Sequence, residues 1–294
     1  MSGLGARQRD AIPQTLVVKL GGRALDAPGA LAECAAALRE CAAAGRAILV
    51  VHGGGAEVTA WCARAGLVPR FADGLRVTDP ATLEIAAAVL GGLANKRLVA
   101  AFRARDIDAV GLSALDGGTV QARRHRDSAI LGEVGEVTAI DATLLGTLMA
   151  AGRMPVLASL GDDGAGALLN LNADDVAAAV AAALPARDLL LLSDTPGLML
   201  DGSVVRSLDA GQLALVLERP DVNGGMRPKL RAAQQALAAG VQHVHIAAWQ
   251  GPGTIAALLE GSGVGTMLHD SSPAGSAFAA PAAATAPHPS ARQA

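Results

Sequence analysis

The chain has 294 residues, 51% of them hydrophobic and only 2% aromatic, with no tyrosine and a formal net charge of −3. That length and apolar content support two modest lobes or one large α/β unit, with a core built mainly from alanine, leucine and valine. The slight acidity argues against a protein that tracks nucleic-acid phosphates, which needs a basic excess. In chain order, residues 1–14 are polar and turn-rich and read as a flexible arm. Thr15–Leu20 reads as a buried strand, followed by Gly21-Gly22 and an alanine-rich helix from about Pro28 to Ala44. Arg46–Val51 is a second strand, followed by Gly53-Gly54-Gly55 and a helix through about Ala65. Ala109–Leu112 forms a third glycine-bearing junction and Met154–Ser159 another strand. Asn172–Leu184 reads as a helix, Asp188–Ser193 as a strand, Lys229–Ala239 as a helix and Val241–Ala247 as a late strand. From Ser271 the text becomes rich in alanine, proline and serine, and residues 271–294 are expected to be disordered.

Strands alternating with helices predict an α/β, doubly wound fold with a mainly parallel sheet covered on both faces. Ligands of such sheets bind beyond the carboxyl ends of the strands, where the glycine loops fall. Mean hydropathy is +0.37. The most apolar region, Val176 to Leu192, is nevertheless cut by Pro185, Arg187 and Asp188. No stretch approaches the roughly 18–20 uninterrupted apolar residues of a membrane span, so no membrane partner is expected. Cys34, Cys41 and Cys62 have neither CxxC nor zinc-like spacing and read as small buried hydrophobes of a reducing compartment. The first fifteen residues lack the apolar segment of a secretory signal, and the cytoplasm is the expected location.

Two strands end in glycine runs before a helix, KLGG (Lys19–Gly22) and HGGG (His52–Gly55). Without Cβ atoms, their backbone N–H groups can close on an anion at the positive end of a helix dipole. Neither is a P-loop or a Rossmann fingerprint. Of 24 lysines and arginines, only Lys19, Lys96 and Lys229 are lysine. A chain that writes nearly every cation as arginine has kept a compact ammonium at the end of the first strand and after the turn NGGMRP. An ammonium can follow a moving phosphoryl group where a guanidinium fork is fixed. Lys96, in a helix-like segment, reads as structural. In NLNADD (Asn170–Asp175), Asn172 is placed to cap the following helix, and Asn170 and Asp174 to point into a cleft. A carboxylate at Asp174 could hold two ammoniums apart and oriented. Arg76, in DGLRVTD, offers a bidentate clamp for a carboxylate.

KLGG, VHGGG, DGLRVTD, VGLSALDGG, NLNADD, LLLLSDTPGLMLD, NGGMRPKL and GVGTM occur in the order and spacing of the amino-acid kinase superfamily. The chain resembles its acetylglutamate kinases over about residues 15–270. The resemblance implies an open αβα sandwich with a mainly parallel central sheet and two lobes. Residues 15–185 would bind the acyl amino acid and dimerise, and residues 186–270 would bind ATP. It implies that Lys19 and Lys229 stabilise the transferring phosphoryl group and that Asp174 organises them. Gly54, Gly55, Arg76 and Asn170 would hold N-acetyl-L-glutamate, with Arg76 on the α-carboxylate. Gly21, Gly22, Asp194 and Gly197 would join the two lysines around ATP, within the loop Asp194–Met199 and the turn Asp221–Asn223. Mg²⁺ would accompany ATP with no protein ligand named, and a homodimer is expected because only about 14 residues precede the first strand. An N-acyl-aminoadipate kinase and a non-catalytic sensor are the competing readings.

Other patterns are discounted. HGGG also occurs in esterase oxyanion holes, but no GxSxG elbow accompanies it. The glycines of Gly261–Gly265 lie too late for a dinucleotide site. His243 and His245 alternate along one strand face and read as structural. The run Arg123–Arg126 reads as a solvated hairpin rather than a nucleic-acid patch.

Overall fold

A computed structural model of the chain describes residues 15–22 and 29–270; the expected arm, the expected tail and Pro28 lie outside them. The first half runs β1 (Thr15–Leu20), α1 (Ala30–Ala43), β2 (Ala47–His52) and α2 (Gly55–Arg64). A small hairpin, β3 (Phe71–Ala72) and β4 (Leu75–Arg76), leads into one continuous helical rod made of α3 (Pro80–Ala87), a π-helical segment (Ala88–Ala94) and α4 (Asn95–Arg103). Then come β5 (Ala109–Ser113), β6 (Val120–Arg124), α5 (Ser128–Leu131), β7 (Val134–Ile140), α6 (Thr143–Ala150), β8 (Met154–Ala158), β9 (Leu160–Asp162) and β10 (Leu168–Leu171). The remainder is α7 (Ala173–Ala183), β11 (Asp188–Ser193), β12 (Met199–Leu200), β13 (Ser203–Val204), β14 (Ser207–Asp209), α8 (Ala210–Leu217), α9 (Met226–Ala238), β15 (His243–Ala248), α10 (Thr254–Leu259) and β16 (Thr266–His269).

One eight-stranded sheet in the order β14-β16-β15-β11-β1-β2-β8-β5 forms the central layer. It is parallel except where β16 returns antiparallel to β15. β1 sits between β2 and β11, so the chain leaves it in one direction first and the other direction later. Such a switch point opens a crevice above the carboxyl ends of β1 and β11. A second sheet, β6-β7-β10-β9, lies beside the first and delivers β10 directly into α7.

Strand alternation divides the core. Leu16, Val18 and Leu20 face Cys34, Leu38 and Phe102 on one side of the sheet. Val17, Leu189 and Leu191 face α7 and α9 on the other. Lys19 falls in step with Val17, so its side chain emerges on the α7/α9 side. Ala177 and Ala181 of α7 and Ala232, Ala233 and Ala236 of α9 are buried in that layer. With such small side chains the two helices approach closely, which is how a chain with few aromatics closes its core.

Most element ends lie within about a residue of the sequence reading, and two starts move further. α9 begins at Met226 rather than Lys229 because Pro228 sits in the first turn, where a missing N–H removes no helical bond. β15 begins at His243 because the N–H groups of Gln242 and His243 are both donated to the Arg187 carbonyl. The rod Pro80–Arg103 is 24 residues long and its most apolar 18-residue stretch has a mean hydropathy of 1.4, enough by length and composition to cross a membrane. Glu84, Lys96 and Arg97 interrupt it, and Val89, Leu90, Leu98 and Phe102 are buried within this fold. Cys34 and Cys62 are buried and Cys41 half-buried, all as free thiols; burial pushes the Cys34 thiol up to about 12.

Candidate active site

Three side chains far apart in sequence meet above the crevice. Asp174 stands in the first turn of α7, capped by the Asn172 side chain, which accepts from the backbone N–H groups of Asp174 and Asp175. Its Oδ1 lies 2.8 Å from Lys19 Nζ, and its Oδ2 accepts a 2.8 Å hydrogen bond from Lys229 Nζ in the second turn of α9. Lys19 and Asp174 are 8% and 4% exposed, so the charges act in a medium that screens them weakly. Burial pushes the Asp174 carboxyl up, but the two ammoniums pull harder and hold it at about 2. Burial, and behind it the Lys229 charge, lowers Lys19 below its ordinary 10.5 even though Asp174 opposes the shift. Activity that needs the Lys19 ammonium should therefore fall on the alkaline side before pH 10.5. The profile of kcat/KM for ATP, which reports the free enzyme, is the check, and one flat to pH 10.5 would contradict a lowered Lys19.

The cleft beside this trio has a volume of about 310 Å³. Gly21 and Gly22 line one end, with Asp194 from the loop after β11. Gly22 has φ +54°, and a Cβ there would collide with the Asp194 carboxylate. Gly54 and Gly55 line the other end with Arg76 and Asn170. Gly197, at φ +146°, lies further out, packed against Thr266 rather than on the cleft wall.

Arg76 is anchored on one side only. Its Nη2 donates to the Gly55 carbonyl and to Thr59 Oγ1, each at 2.7 Å. Its Nη1 is buried with no hydrogen-bond partner among the described residues. A buried guanidinium N–H at the rim of a polar cleft suits an acceptor, and a carboxylate is the best match in charge and shape. The Phe71 ring packs 4.8 Å from the guanidinium carbon and steadies its plane. Asn170, on β10, donates to Thr78 Oγ1 at 3.0 Å, and that hydroxyl donates to the Arg76 carbonyl at 2.9 Å. Thr78 thus couples the two polar groups at this end.

Sequence reasoning missed Thr59, Thr78, Phe71 and Ser159, which follows β8 on the cleft wall. The hairpin carrying Phe71 and Arg76 did have a signal. Asp73 and Gly74, at φ +48° and +82°, form the Asp-Gly turn that favours tight antiparallel hairpins. Among the described residues no group of three or more His, Cys, Asp or Glu side chains could hold a metal ion.

Residues 14–248 match the model of the amino acid kinase family. The chain belongs to the amino acid kinase family. Within it, this kinase is 40% identical to an acetylglutamate kinase of Symbiobacterium thermophilum, over 88% of this chain and 93% of the relative. An acetylglutamate kinase of Methanopyrus kandleri is also 40% identical, over 84% and 98% of the two chains. Among solved structures, a Streptococcus mutans protein superposes with a TM-score of 0.75 at 27% identity, covering 88% of this kinase and 99% of that chain. An N-acetylglutamate synthase of Neisseria gonorrhoeae, complexed with coenzyme A and N-acetyl-glutamate, has a TM-score of 0.77 at 27% identity. It covers 90% of this kinase, which spans 61% of it. The kinase is a phosphotransferase, as the resemblance read from KLGG and NLNADD implied. Its Arg123 and Arg124 pair with Glu136 and Glu133 across the β6–β7 hairpin, the solvated arrangement expected of that basic run.

Proposed function

We propose that the cleft transfers the γ-phosphoryl group of ATP to the γ-carboxylate of N-acetyl-L-glutamate, forming N-acetyl-L-glutamyl 5-phosphate and ADP, the second step of arginine biosynthesis. The supporting observation is that a carboxylate-organised pair of ammoniums, Lys19 buried and Lys229 half-buried, adjoins the same cavity as a guanidinium with a spare buried N–H. In this reading residues 15–185 hold the acyl amino acid, with Arg76 Nη1 on its α-carboxylate and Gly54, Gly55 and Asn170 around the rest. Residues 186–270 hold the nucleotide, whose phosphates reach Lys19, Gly21, Gly22, Asp194 and Lys229, with Gly197 shaping the outer loop.

A γ-carboxylate oxygen attacks the γ-phosphorus in line, and the bond from that phosphorus to the β–γ bridging oxygen breaks. The nucleophile is already ionised at pH 7, so no general base is required. Catalysis then rests on alignment and on neutralising charge over the equatorial phosphoryl oxygens. Mg²⁺ enters with ATP, held by phosphates and water. On the family resemblance, the working form is a cytoplasmic homodimer, which sedimentation of the purified protein tests.

The direct test is acyl-phosphate formation trapped with hydroxylamine, comparing N-acetyl-L-glutamate with glutamate, aspartate and N-acetyl-aminoadipate. Strong preference for N-acetyl-L-glutamate supports the assignment, and preference for another acid overturns the substrate. Silence on all four from folded, ATP-binding protein moves the sensor reading forward. Arg76→Lys tests the acyl end. A lysine cannot keep both the Gly55 anchor and a fork on the ligand. KM for N-acetyl-L-glutamate should rise roughly 10–100-fold, the value of one charged hydrogen bond, with KM for ATP unchanged. An unchanged KM for the acyl amino acid would remove Arg76 from its site.

A further inference from the structure

Behind the acyl-end glycine loop runs a buried hydrogen-bonded chain that takes no part in the cleft surface. His52 closes β2 and is fully buried. Its Nδ1 lies 2.8 Å from the Gly53 carbonyl oxygen, and its Nε2 lies 3.1 Å from Asn95 Nδ2. Asn95, also fully buried, is the first residue of α4 after the π-helical segment. Its Nδ2 reaches the Val156 carbonyl at 2.9 Å and the Leu112 carbonyl at 3.2 Å. Its Oδ1 accepts from Lys96 Nζ at 3.0 Å.

These partners fix the amide orientation and the tautomer, with the two Nδ2 protons shared among three acceptors. Turning the Asn95 amide over would set its oxygen against two carbonyl oxygens and its NH₂ against an ammonium. Nδ2 is therefore the donor, His52 Nε2 accepts, and the single imidazole proton sits on Nδ1, donated to the Gly53 oxygen. Burial, with a smaller push from Lys96, lowers the imidazole to about 4 despite the Gly53 bond, so the ring stays neutral near pH 7.

The Gly53 carbonyl and the Gly54 N–H belong to one planar trans peptide and point in opposite directions. Pinning the oxygen toward the buried ring turns the Gly54 N–H away from it, toward the side on which Gly53, Gly54 and Gly55 line the cleft. The loop is held again one peptide later, where the Gly55 carbonyl accepts from Arg76. Leu90 of the π segment packs on Gly54 so closely that a Cβ there would lie 2.8 Å from its Cδ2. Leu90 within this π segment and Asn95 just after it thus both bear on the loop, Leu90 by packing and Asn95 through His52; π-bulges are frequent at functional sites.

We propose that His52 and Asn95 are positioning residues for the acyl amino acid, fixing the Gly53–Gly54 peptide so that its N–H stays aimed at the substrate. The proposal rests on the reading of this loop as the acyl amino acid site. Asparagine at position 52 places its amide nitrogen where Nδ1 stood, whereas glutamine places it near Nε2. His52→Gln should raise KM for N-acetyl-L-glutamate at least tenfold with kcat and KM for ATP within twofold. His52→Asn should restore KM to within about threefold of the unaltered protein. ¹⁵N NMR of the unaltered protein should show the Nδ1–H tautomer for His52, a readout independent of which acid is phosphorylated. An Nε2–H tautomer, or equal KM values for the glutamine and asparagine variants, would overturn the proposal. Hydroxylamine trapping with the unaltered protein reports separately on the substrate assignment.

Discussion

Replacing Lys19 or Lys229 with alanine is expected to lower kcat by roughly 10²–10³, about 3–4 kcal/mol of lost transition-state stabilisation. Each ammonium lies 2.8 Å from Asp174 and is held before substrate arrives. Neither has to reorganise as charge spreads over the transferring phosphoryl oxygens, which makes a fixed cation effective in a poorly screened site. Either single variant should fold, because Asp174 keeps the other lysine and no buried charge is stranded. Arginine should not substitute at position 19. A Cβ on Gly21 would already lie 2.9 Å from Lys19 Nζ, which shows how closely the backbone wraps the ammonium. The check is kcat measured at saturating substrates, with folding followed by circular dichroism. Near-normal kcat in a folded alanine variant at either position would remove that lysine from the phosphoryl-transfer machinery.

How much of this was legible in the sequence depended on whether local text carried the physics. β1 and β11 are bounded as read, because a central parallel strand is a continuous apolar run with abrupt ends. Lys19, Lys229 and Asp174 stood out because lysine is scarce here and because the string NLNADD exceeds what a helix cap needs. Their convergence was not readable from periodicity alone. It depends on Lys19 sharing the Val17 face of β1 and on alanines letting α7 and α9 approach. The resemblance implied the meeting, and the geometry supplies its cause. The hairpin Phe71–Arg76 was harder, since strands of two residues show no alternation and only the Asp-Gly turn marks them. The π segment was invisible because a widened turn hides inside an apolar helical pattern. His52 and Asn95 were masked for a similar reason. A polar residue beside glycines reads as part of a turn until burial shows that it must find partners.

Removing the carboxylate between the lysines should disturb the protein most. In Asp174→Ala the buried Lys19 and half-buried Lys229 ammoniums face each other without the group that separates them. At an effective dielectric of about 20 and a separation of about 5 Å, their repulsion is roughly 3 kcal/mol, in line with the cost of breaking a buried ion pair. At pH 7 the variant should therefore lose about 3 kcal/mol of stability and at least 100-fold in kcat, as the ammoniums swing apart or one sheds its proton. The pH dependence identifies the cause. Lys19 already titrates below 10.5 with Asp174 present; without Asp174 its folded-state pKa falls further, while its unfolded value stays near 10.5. The folded protein then binds fewer protons than the unfolded chain between those two values, so stability rises with pH across that window. The deficit is full below the folded pKa and vanishes once the lysine is neutral in both states. Chemical denaturation of the variant and the unaltered protein at pH 7 and pH 10 measures this directly. A gap that narrows on going alkaline supports electrostatic organisation by Asp174. A gap of equal size at both pH values would mean that Asp174 serves packing or capping of α7 instead, and the organising role would fall.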